Sequence, residues 1–452
     1  MKKGQIIVNL ACILFGVGTW LCVNGLWVEL PLLVDRLPEG WKLPSYMAVI
    51  IQLANVGPIA YTILHSLFPA VVTEKRSIYA VMGLAVITLL LLVQFWMKTA
   101  IIGGVEHSVA FFGLVLILAA VDCSSRVMYL PFMAKFKPQY LTCFFIGEGL
   151  SGFVPSIFAV IQGTGGNRNC MVITNSTEME NKTAAAVHQP LFSIEVFMYL
   201  MTFVTVLSGI AFYLLNIDSI ISKCLAHPTT EVKPILLNNH PRTQFYNSTG
   251  GEETTGEGAL MSNVVNTDSY PVLVDPTTEN LQIPKSESVS LMILLTMICI
   301  LANGVFPSIQ SYSCLPYGYV TYHWAVTLSA MANPSVCFLM LFLKKPIKAI
   351  LIFASIGSFA VGSYILSTAI VSPLPSFVES IGGQVLLVTS WILLVGLFTY
   401  VKVSIATIMR INGKRGLFWT GVFTQVGSII GALISFSVVN FTQIFQTYDP
   451  CA

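Results

Sequence analysis

Eleven long apolar runs dominate the sequence and restrict the folds open to it more than any other feature. Each holds about twenty or more mostly apolar residues, the length that an α-helix needs to cross a bilayer. The runs lie near residues 6–34, 45–67, 77–97, 108–133, 140–162, 192–216, 289–311, 318–343, 347–371, 382–408 and 416–440. Unpaired backbone is too costly in lipid, and no run alternates like a membrane β-strand. We therefore predict an all-α polytopic membrane protein with about eleven transmembrane helices.

The charged residues are too few for a soluble protein of this length. Of the 452 residues, 55% are hydrophobic and 10% are charged, whereas a soluble globular chain is about one quarter charged. Lipid must therefore be the solvent for much of the surface. The first run is too long for a removable signal peptide and has no small-residue cleavage site, so it predicts the first span.

No motif in the sequence indicates catalysis or metal binding. The chain lacks HExxH, a complete GxxxxGKS or GxxxxGKT loop and a CxxC pair, and its ten cysteines are scattered. We therefore predict that the protein is not an enzyme and holds no metal or cofactor. Its charge pattern indicates no nucleic-acid partner, and eleven spans disfavour a seven-helix receptor. Membrane lipid is the expected surrounding partner.

Lysine and arginine orient the predicted spans, because short cytoplasmic loops are enriched in basic residues. With the N-terminus inside, sixteen of the 23 basic residues fall in cytoplasmic segments and five in outer segments. The other two, Arg126 and Lys402, lie within spans. We therefore predict a cytoplasmic N-terminus and, since the number of spans is odd, an extracellular C-terminus.

The outer loop between spans five and six carries two predicted glycosylation sites. They are the sequons that begin at Asn175 and Asn181. Cys170, Cys314 and Cys451 lie on the same oxidising side of the membrane. This placement permits a disulfide among the three, and its pairing stays open.

The segment 217–288 interrupts the apolar pattern. It is rich in Thr, Asn, Glu, Pro and Gly and has no helical period, which predicts a disordered cytoplasmic linker. The chain is thereby divided into an N-terminal half of six helices, residues 1–216, and a C-terminal half of five helices, residues 289–452.

Polar positions inside the spans recur at a nearly constant interval in the two halves. The matches, at intervals of 279, 278 and 277 residues, are Asn24 with Asn303, Asn55 with Asn333, and Glu148 with Gln425. The alternative is an accidental match of small polar residues. A true repeat resembles the architecture of major facilitator and equilibrative nucleoside transporters. In the major facilitator type the substrate binds between the halves near mid-membrane, and the halves rock around it.

Ionisable side chains inside spans are costly and usually face a bundle interior or a wet cavity. The five to which we assign proton or gating roles are Glu29, Asp122, Arg126, Glu148 and Lys402. Asp122 and Arg126 are four residues apart on one helix face, so they can pair with each other. Such a pair is either a simple internal ion pair or a polar wall or gate of the cavity.

Glu148 and Glu29 each have two interpretations. Glu148 lies between two glycines, so it either hydrogen-bonds across a close helix crossing or acts as a titratable cavity residue that couples transport to pH. Glu29 joins the neighbouring polar face only if Gly25 or Pro31 distorts span one; otherwise it pairs with Arg36 or Lys42 at the outer surface.

Aromatic and amide side chains mark a candidate substrate cavity. Trp20, Asn24 and Trp27 share one face of span one, which is either ordinary aromatic packing or a ligand wall. Amides elsewhere are either glue between helices or hydrogen-bonding groups of a shared cavity. The predicted cavity residues are Trp20, Asn24, Trp27, Gln52, Asn55, Asn303, Gln310, Tyr312, His323, Asn333, Trp391 and Gln425. Tryptophan suits a flat aromatic body, and amides suit imide-like edges or a polyol.

Longer strings resemble the vertebrate riboflavin transporters of solute carrier family 52 across nearly the whole chain. They are NGLWVELPLL at 24–33, LPEGW at 37–41, QLAN at 52–55, VDCS at 121–124, LPFM at 130–133, GEGLSG at 147–152, NG at 303–304, SIQSYSC at 308–314, YH at 322–323 and YVKV at 400–403. The resemblance implies sodium-independent uptake of riboflavin at the plasma membrane, with acid stimulation in some members. It also implies eleven spans.

The chain departs from the family pattern at two positions. Arg126 stands where relatives tend to carry a small polar residue, so the resemblance gives it no role. Leu374 stands where some relatives have a cysteine, which argues against a family-type disulfide to Cys451. Asp122 and Glu148 favour the pH-sensitive type, and the choice of paralogue stays open.

We therefore predict a multi-pass plasma-membrane transporter that takes up riboflavin by alternating access. Riboflavin is then the transported substrate and not a cofactor. The alternative is another heterocyclic solute such as a nucleoside, carried by the same architecture, and a membrane receptor is the third choice. A carrier of this kind could also serve a viral envelope as an attachment site, but no residue pattern indicates it. The sequence leaves the oligomeric state open.

Overall fold

The protein is almost entirely helical in the part of the chain that the computed structural model describes. That part comprises residues 2–163, 169–174, 181–186, 189–217, 283–342 and 348–447. Most of the predicted linker, the sequon at Asn175 and Cys451 lie outside it. The strands that hold Cys170 and Asn181 are described by their backbone alone. The linker ends earlier than predicted, since residues 285–288 already belong to a helix.

The described residues of the first half form nine helices and two antiparallel hairpins. The helices are α1 (Lys2–Val17), α2 (Leu21–Val28), α3 (Leu30–Arg36), α4 (Leu43–Leu53), α5 (Val56–Leu67), α6 (Glu74–Phe95), α7 (Val109–Ala134), α8 (Pro138–Gln162) and α9 (Ile194–Leu215). The hairpins are β1 (Ala100–Ile102) with β2 (Val105–His107), and β3 (Asn169–Thr174) with β4 (Asn181–Ala186). Predicted span one therefore corresponds to α1, α2 and α3, and span two to α4 and α5.

The described residues of the second half form six helices. They are α10 (Lys285–Ile300), α11 (Phe306–Cys314), α12 (Tyr319–Phe342), α13 (Lys348–Ile370), α14 (Ile381–Met409) and α15 (Gly413–Phe441). A π-helical turn, Leu301–Val305, joins α10 to α11. Predicted span seven is therefore continuous, but it leaves the regular α-helical hydrogen-bond pattern at this turn.

Nine helices of the described residues are long and apolar enough to cross a membrane by length and composition, and ten if α1 and α2 form one bent span. The predicted span outside this set is α12. It has 24 residues, but Asn333, Pro334 and His323 make it less apolar than its neighbours. The multi-pass helical fold is therefore confirmed, while eleven spans and the sides of the two termini stay predictions.

Glycine lets span one cross span five, and span seven cross span eleven, with their backbones in contact. A Cβ added to Gly147 of α8 would stand 2.0 Å from the Ile13 carbonyl oxygen of α1. A Cβ added to Gly304 would stand 2.1 Å from the carbonyl carbon of Gly431 in α15. Both positions therefore require glycine. The same pair of spans makes the close crossing in each half, as the predicted repeat requires.

The largest buried apolar cluster joins the two halves through residues near the predicted outer ends of their spans, such as Leu33 and Leu315. A separate cluster fills the cytoplasmic part of the first half, where Phe15 packs among Tyr129 and Phe132. The core thus connects the halves on the outer side and supports the first half by itself on the inner side.

Candidate substrate site between the two halves

Three hydrogen bonds that join the two halves lie together at the predicted outer end of the spans. They run from Ser311 Oγ to the Trp41 carbonyl oxygen (2.6 Å), from the Tyr319 hydroxyl to Asp35 Oδ1 (3.2 Å) and from Asn440 Nδ2 to Ser45 Oγ (3.0 Å). Tyr46 packs edge-on against Phe436, with ring centroids 5.0 Å apart. We call this set of contacts the outer closure, because it seals the space between the halves on that side.

Tyr312 belongs to the outer closure. We predicted it as a substrate-binding residue, and its side chain is instead buried against the Trp41 ring, with ring centroids 5.6 Å apart. Phe445 packs on it as well, with centroids 5.4 Å apart. In this state Tyr312 can therefore contact a substrate only after the closure opens.

On the predicted cytoplasmic side of the outer closure, a charged side chain within a span is exposed. The side chain of Arg126 is 58% exposed, although it lies within α7. It is eight residues before the cytoplasmic end of that helix, which places it about 12 Å inside. A guanidinium exposed at this depth needs water around it, because lipid would not solvate the charge. This exposure indicates a hydrated crevice between the halves on the predicted cytoplasmic side.

The predicted pair between Asp122 and Arg126 is wrong. Arg126 Nε donates to Glu148 Oε1 at 2.9 Å, and the terminal guanidinium nitrogen contacts the same oxygen. Asp122 is fully buried, and its Oδ2 accepts the backbone N–H of Val23 at 2.8 Å. The two side chains leave α7 toward different neighbours, one toward α8 and the other toward α2.

Charged side chains of both halves gather in the cytoplasmic part of the crevice. Lys402 of α14 is half-buried and has no hydrogen-bond partner among the described residues. The Cys337 thiol of α12 lies within electrostatic range of Lys402, Arg126 and Glu148. The predicted gating residues Arg126, Glu148 and Lys402 thus lie near one another, whereas Asp122 and Glu29 lie elsewhere.

Glu29 pairs neither with Arg36 nor with Lys42. It is 2% exposed, and its Oε1 accepts a hydrogen bond from Gln162 Nε2 of α8 at 2.8 Å. The chain breaks between α2 and α3 at Glu29, ahead of Pro31, and this break turns the carboxylate inward. The other interpretation, in which a distortion at Gly25 or Pro31 lets Glu29 join the polar face of Asn24, stays a prediction.

Asn24 and Asn303 make matching hydrogen bonds in the two halves. Asn24 Nδ2 donates to Ser151 Oγ of α8 at 3.5 Å, and Asn303 Nδ2 donates to Ser428 Oγ of α15 at 2.8 Å. Ser151 and Ser428 are 277 residues apart, the interval of the predicted repeat. The amide nitrogens therefore bind neighbouring helices, and the amide oxygens are the groups left for a substrate.

Some of the other amide side chains have hydrogen-bond partners within the protein, and one has none among the described residues. Asn55 Nδ2 lies 3.2 Å from the Gln52 carbonyl oxygen and 3.4 Å from Gln52 Oε1, so the two share a face as predicted. Asn333 Oδ1 accepts the Thr399 hydroxyl at 3.2 Å. Gln310 is nearly buried and has no hydrogen-bond partner among the described residues, which leaves its whole amide for a ligand.

The aromatic candidates of the two halves differ in placement. Trp20 and Trp27 are half-buried, and both pack against one small cluster that contains Ala54 and Ala119. Trp391 is instead fully inside the second half, where it packs edge-on against Phe306. His323 is buried, and Gln425 is exposed on α15. The tryptophans of span one are therefore the better ring-binding candidates.

Sequence reasoning missed the residues of the outer closure. Asp35, Trp41 and Ser45 lie at the ends of spans one and two, and a hydropathy pattern says nothing about which chain end meets which. Gln162 was missed as the partner of Glu29 for the same reason. The string LPEGW at 37–41 was the one available signal, since it carries an aromatic ring in an outer loop.

Comparison with known proteins identifies the family to which the chain belongs. The family model described as solute carrier family 52, riboflavin transporter, matches residues 4–447. The chain belongs to this family. Among its members, riboflavin transporter 2 of Salmo salar is 38% identical over 462 residues, which cover 98% of this chain and 97% of the relative.

Further members of the family are similar over their whole length. Member 3-B of Danio rerio is 36% identical over 463 residues, covering 98% of this chain and 97% of the relative. Member 1 of Homo sapiens is 36% identical over 459 residues, covering 99% and 98%. The family resemblance predicted from the short strings is confirmed.

A solved structure agrees with the predicted fold class. A crystallised mutant of the nucleoside transporter NupG superposes with a TM-score of 0.51 at 12% identity, covering 98% of this chain and 93% of the other. The low identity makes this a likeness of fold alone. The two-half, major-facilitator-like architecture predicted from the repeat is confirmed.

Proposed function

We propose that this protein carries riboflavin across the plasma membrane by alternating access, with the vitamin bound between its two halves. Membership of the riboflavin transporter family supports the substrate. The observations that support the mechanism are the hydrogen bonds of the outer closure and the exposed side chain of Arg126 on the predicted cytoplasmic side. The opposite state, closed inside and open outside, completes the cycle.

The chemistry of riboflavin matches the groups that the crevice offers. Its flat ring system suits the half-buried rings of Trp20 and Trp27. Its imide edge and ribityl chain need groups that donate and accept at once, as the amides of Gln52, Gln310 and Asn24 do. We therefore assign these five residues to the substrate and treat the remaining predicted residues as supports.

Uptake of labelled riboflavin into cells that lack their own carrier tests the proposal. We expect saturable uptake, with a higher KM in Gln310→Ala because a buried amide contact is lost. Thr407→Val is the matched control, since the Thr407 hydroxyl is exposed and its bond in the described structure stays within α14. Absence of saturable uptake by the unaltered protein would exclude riboflavin as the substrate.

Two further measurements test the finer parts of the proposal. Replacing sodium by choline should leave the uptake rate unchanged, because we propose a sodium-independent cycle. Excess uridine should not compete with riboflavin. Strong competition by uridine together with weak competition by unlabelled riboflavin would favour the alternative, a carrier of nucleosides.

A further inference from the structure

Span one is broken near the middle of its predicted length. Helix α1 ends at Val17 and α2 begins at Leu21, and their axes differ by 57°. The first N–H groups of α2 and the last carbonyl groups of α1 therefore have no partners within their own helices. In lipid such groups must be satisfied by neighbouring helices, because water is not available to them.

Side chains of α7 and α9 bind backbone groups at this break. Asp122 Oδ2 accepts the Val23 N–H at 2.8 Å, and the Ser125 hydroxyl donates to the Thr19 carbonyl oxygen at 3.0 Å. On the other side, the Ser208 hydroxyl donates to the Phe15 carbonyl oxygen at 3.3 Å. Asp122 is the one member of this set that binds α2 itself.

The Asp122 carboxylate occupies a position that suits an N-terminal cap. It is fully buried, it lies at the first turn of α2, and it also lies beside the Cys22 thiol. A carboxylate at a helix N-terminus satisfies a free N–H and interacts favourably with the helix dipole. Here the cap comes from another helix, so it also fixes the position of α2 relative to α7.

Among the described residues, the second half has no equivalent of this contact. The residue 277 positions after Asp122 is Thr399, whose hydroxyl donates to Asn333 Oδ1 and not to the backbone of span seven. Span seven passes its own irregular turn, Leu301–Val305, with a continuous π-helix. The contact from Asp122 is thus a property of the first half and not of the repeat.

We propose that Asp122 is a positioning residue for the riboflavin site. By holding Val23, it sets the direction of α2 and with it the positions of Trp20, Asn24 and Trp27, which lie on or directly before the same short helix. This inference rests on the proposed function, because it takes those side chains as the substrate wall. Asp122 itself is covered and touches no substrate.

The test compares two substitutions by transport kinetics and by binding. Asp122→Asn keeps an oxygen that accepts the Val23 N–H, whereas Asp122→Leu removes it. We expect Asp122→Leu to raise the KM for riboflavin about tenfold, the effect of losing one buried hydrogen bond on a binding equilibrium. Asp122→Asn should restore KM to within about twofold. Purified protein should show the same order in riboflavin affinity, measured by quenching of the vitamin's fluorescence.

Ser124→Ala is the matched control, because the bond that the Ser124 hydroxyl makes in the described structure stays within α7, to the Ala120 carbonyl oxygen. It should leave KM unchanged, and surface biotinylation normalises Vmax for every variant. A wild-type KM in Asp122→Leu would overturn the inference, and so would an equal rise in KM for Asp122→Asn, which would assign the effect to the charge. Failure of the unaltered protein to take up riboflavin would instead refute the proposed function.

Discussion

The ion pair between Arg126 and Glu148 is partly exposed to water. The carboxylate is mostly covered, but the guanidinium is largely exposed to the crevice, so water screens the pair. An ion pair of this kind contributes about 0–1 kcal/mol to stability. We therefore expect the pair to contribute little to folding.

Glu148→Gln should flatten the dependence of riboflavin uptake on external pH, because the substituted side chain cannot change its charge. Surface expression should stay intact, since the lost pair contributes little to stability. Uptake measured at acidic and neutral pH, normalised to surface protein, checks this. A pH profile identical to that of the unaltered carrier would remove Glu148 from pH coupling.

Arg126 and Glu148 also show how much of the candidate site could be predicted from the sequence. The intramembrane charges were identified correctly as polar exceptions, but their partners were not. Glu148 and Arg126 are 22 residues apart on adjacent helices, and the position of α8 together with the side-chain conformation of Arg126 decides whether Arg126 pairs with Glu148 or with Asp122. The helical face on which a side chain lies limits its possible partners, and the packing of neighbouring helices determines which of them it contacts.

At the scale of elements, helix bounds were predictable and helix breaks were not. The run 108–133 corresponds closely to α7, Val109–Ala134, because both depend on apolar length. The run 6–34 contains three helices. Its breaks near Gly18 and at Glu29 lie among residues as apolar as the helices around them, so the hydropathy pattern could not reveal them. Hydropathy indicates whether a residue lies in an apolar environment, but it does not indicate where the backbone changes direction.

The close crossing of α1 and α8 should tolerate no side chain at Gly147. A Cβ there would stand 2.0 Å from a carbonyl oxygen, so the helices must separate. Gly147→Ala should destabilise the protein by about 1–3 kcal/mol, seen as a lower melting temperature in detergent. Gly209→Ala is the control, because no described atom lies within 4 Å of its added Cβ. Equal melting temperatures for the two variants would contradict the crossing.

Helix α7 should depend on a cap from the outer loop. Glu39 is nearly buried, and its carboxylate accepts the Ser108 N–H at 2.9 Å and the Ser108 hydroxyl at 2.7 Å. Glu39→Ala leaves these donors unpaired and should cost about 1–3 kcal/mol of stability. Exposed Glu106 is the comparison, and its substitution by Ala should change the melting temperature little. A similar loss in both variants would argue against the cap.

At the scale of the whole molecule, the outer closure should have to open in every transport cycle. Ser45 Oγ and Asn440 Nδ2 are 3.0 Å apart across the halves. Ser45→Cys combined with Asn440→Cys, joined by a short bifunctional thiol reagent with a reducible linker, should abolish riboflavin uptake. A reducing agent should restore it, and each single variant should be insensitive to the reagent. Full uptake by a fully cross-linked carrier would show that this side does not move.

The arrangement of the halves was beyond the sequence for a physical reason. The repeat predicted that two similar bundles exist, and matching bonds such as Asn24 to Ser151 and Asn303 to Ser428 confirm it. Under the proposed alternating access, small differences in free energy between two states of one sequence decide which ends meet. One sequence is compatible with both states, so its hydropathy and repeat patterns cannot predict which state is formed.

The outer closure also bears on how much vitamin a cell can hold. Each of its hydrogen bonds contributes only about 0.5–1.5 kcal/mol net, so parting them is within reach of thermal motion on the microsecond to millisecond timescale. Opening the closure supplies no energy by itself, so a carrier without a coupled ion would bring the two sides of the membrane toward equal concentrations. In a carrier without a coupled ion, accumulation is driven from the cytoplasm, by a reaction that consumes riboflavin there. The rate of that reaction, more than the tightness of the carrier, sets the size of the store.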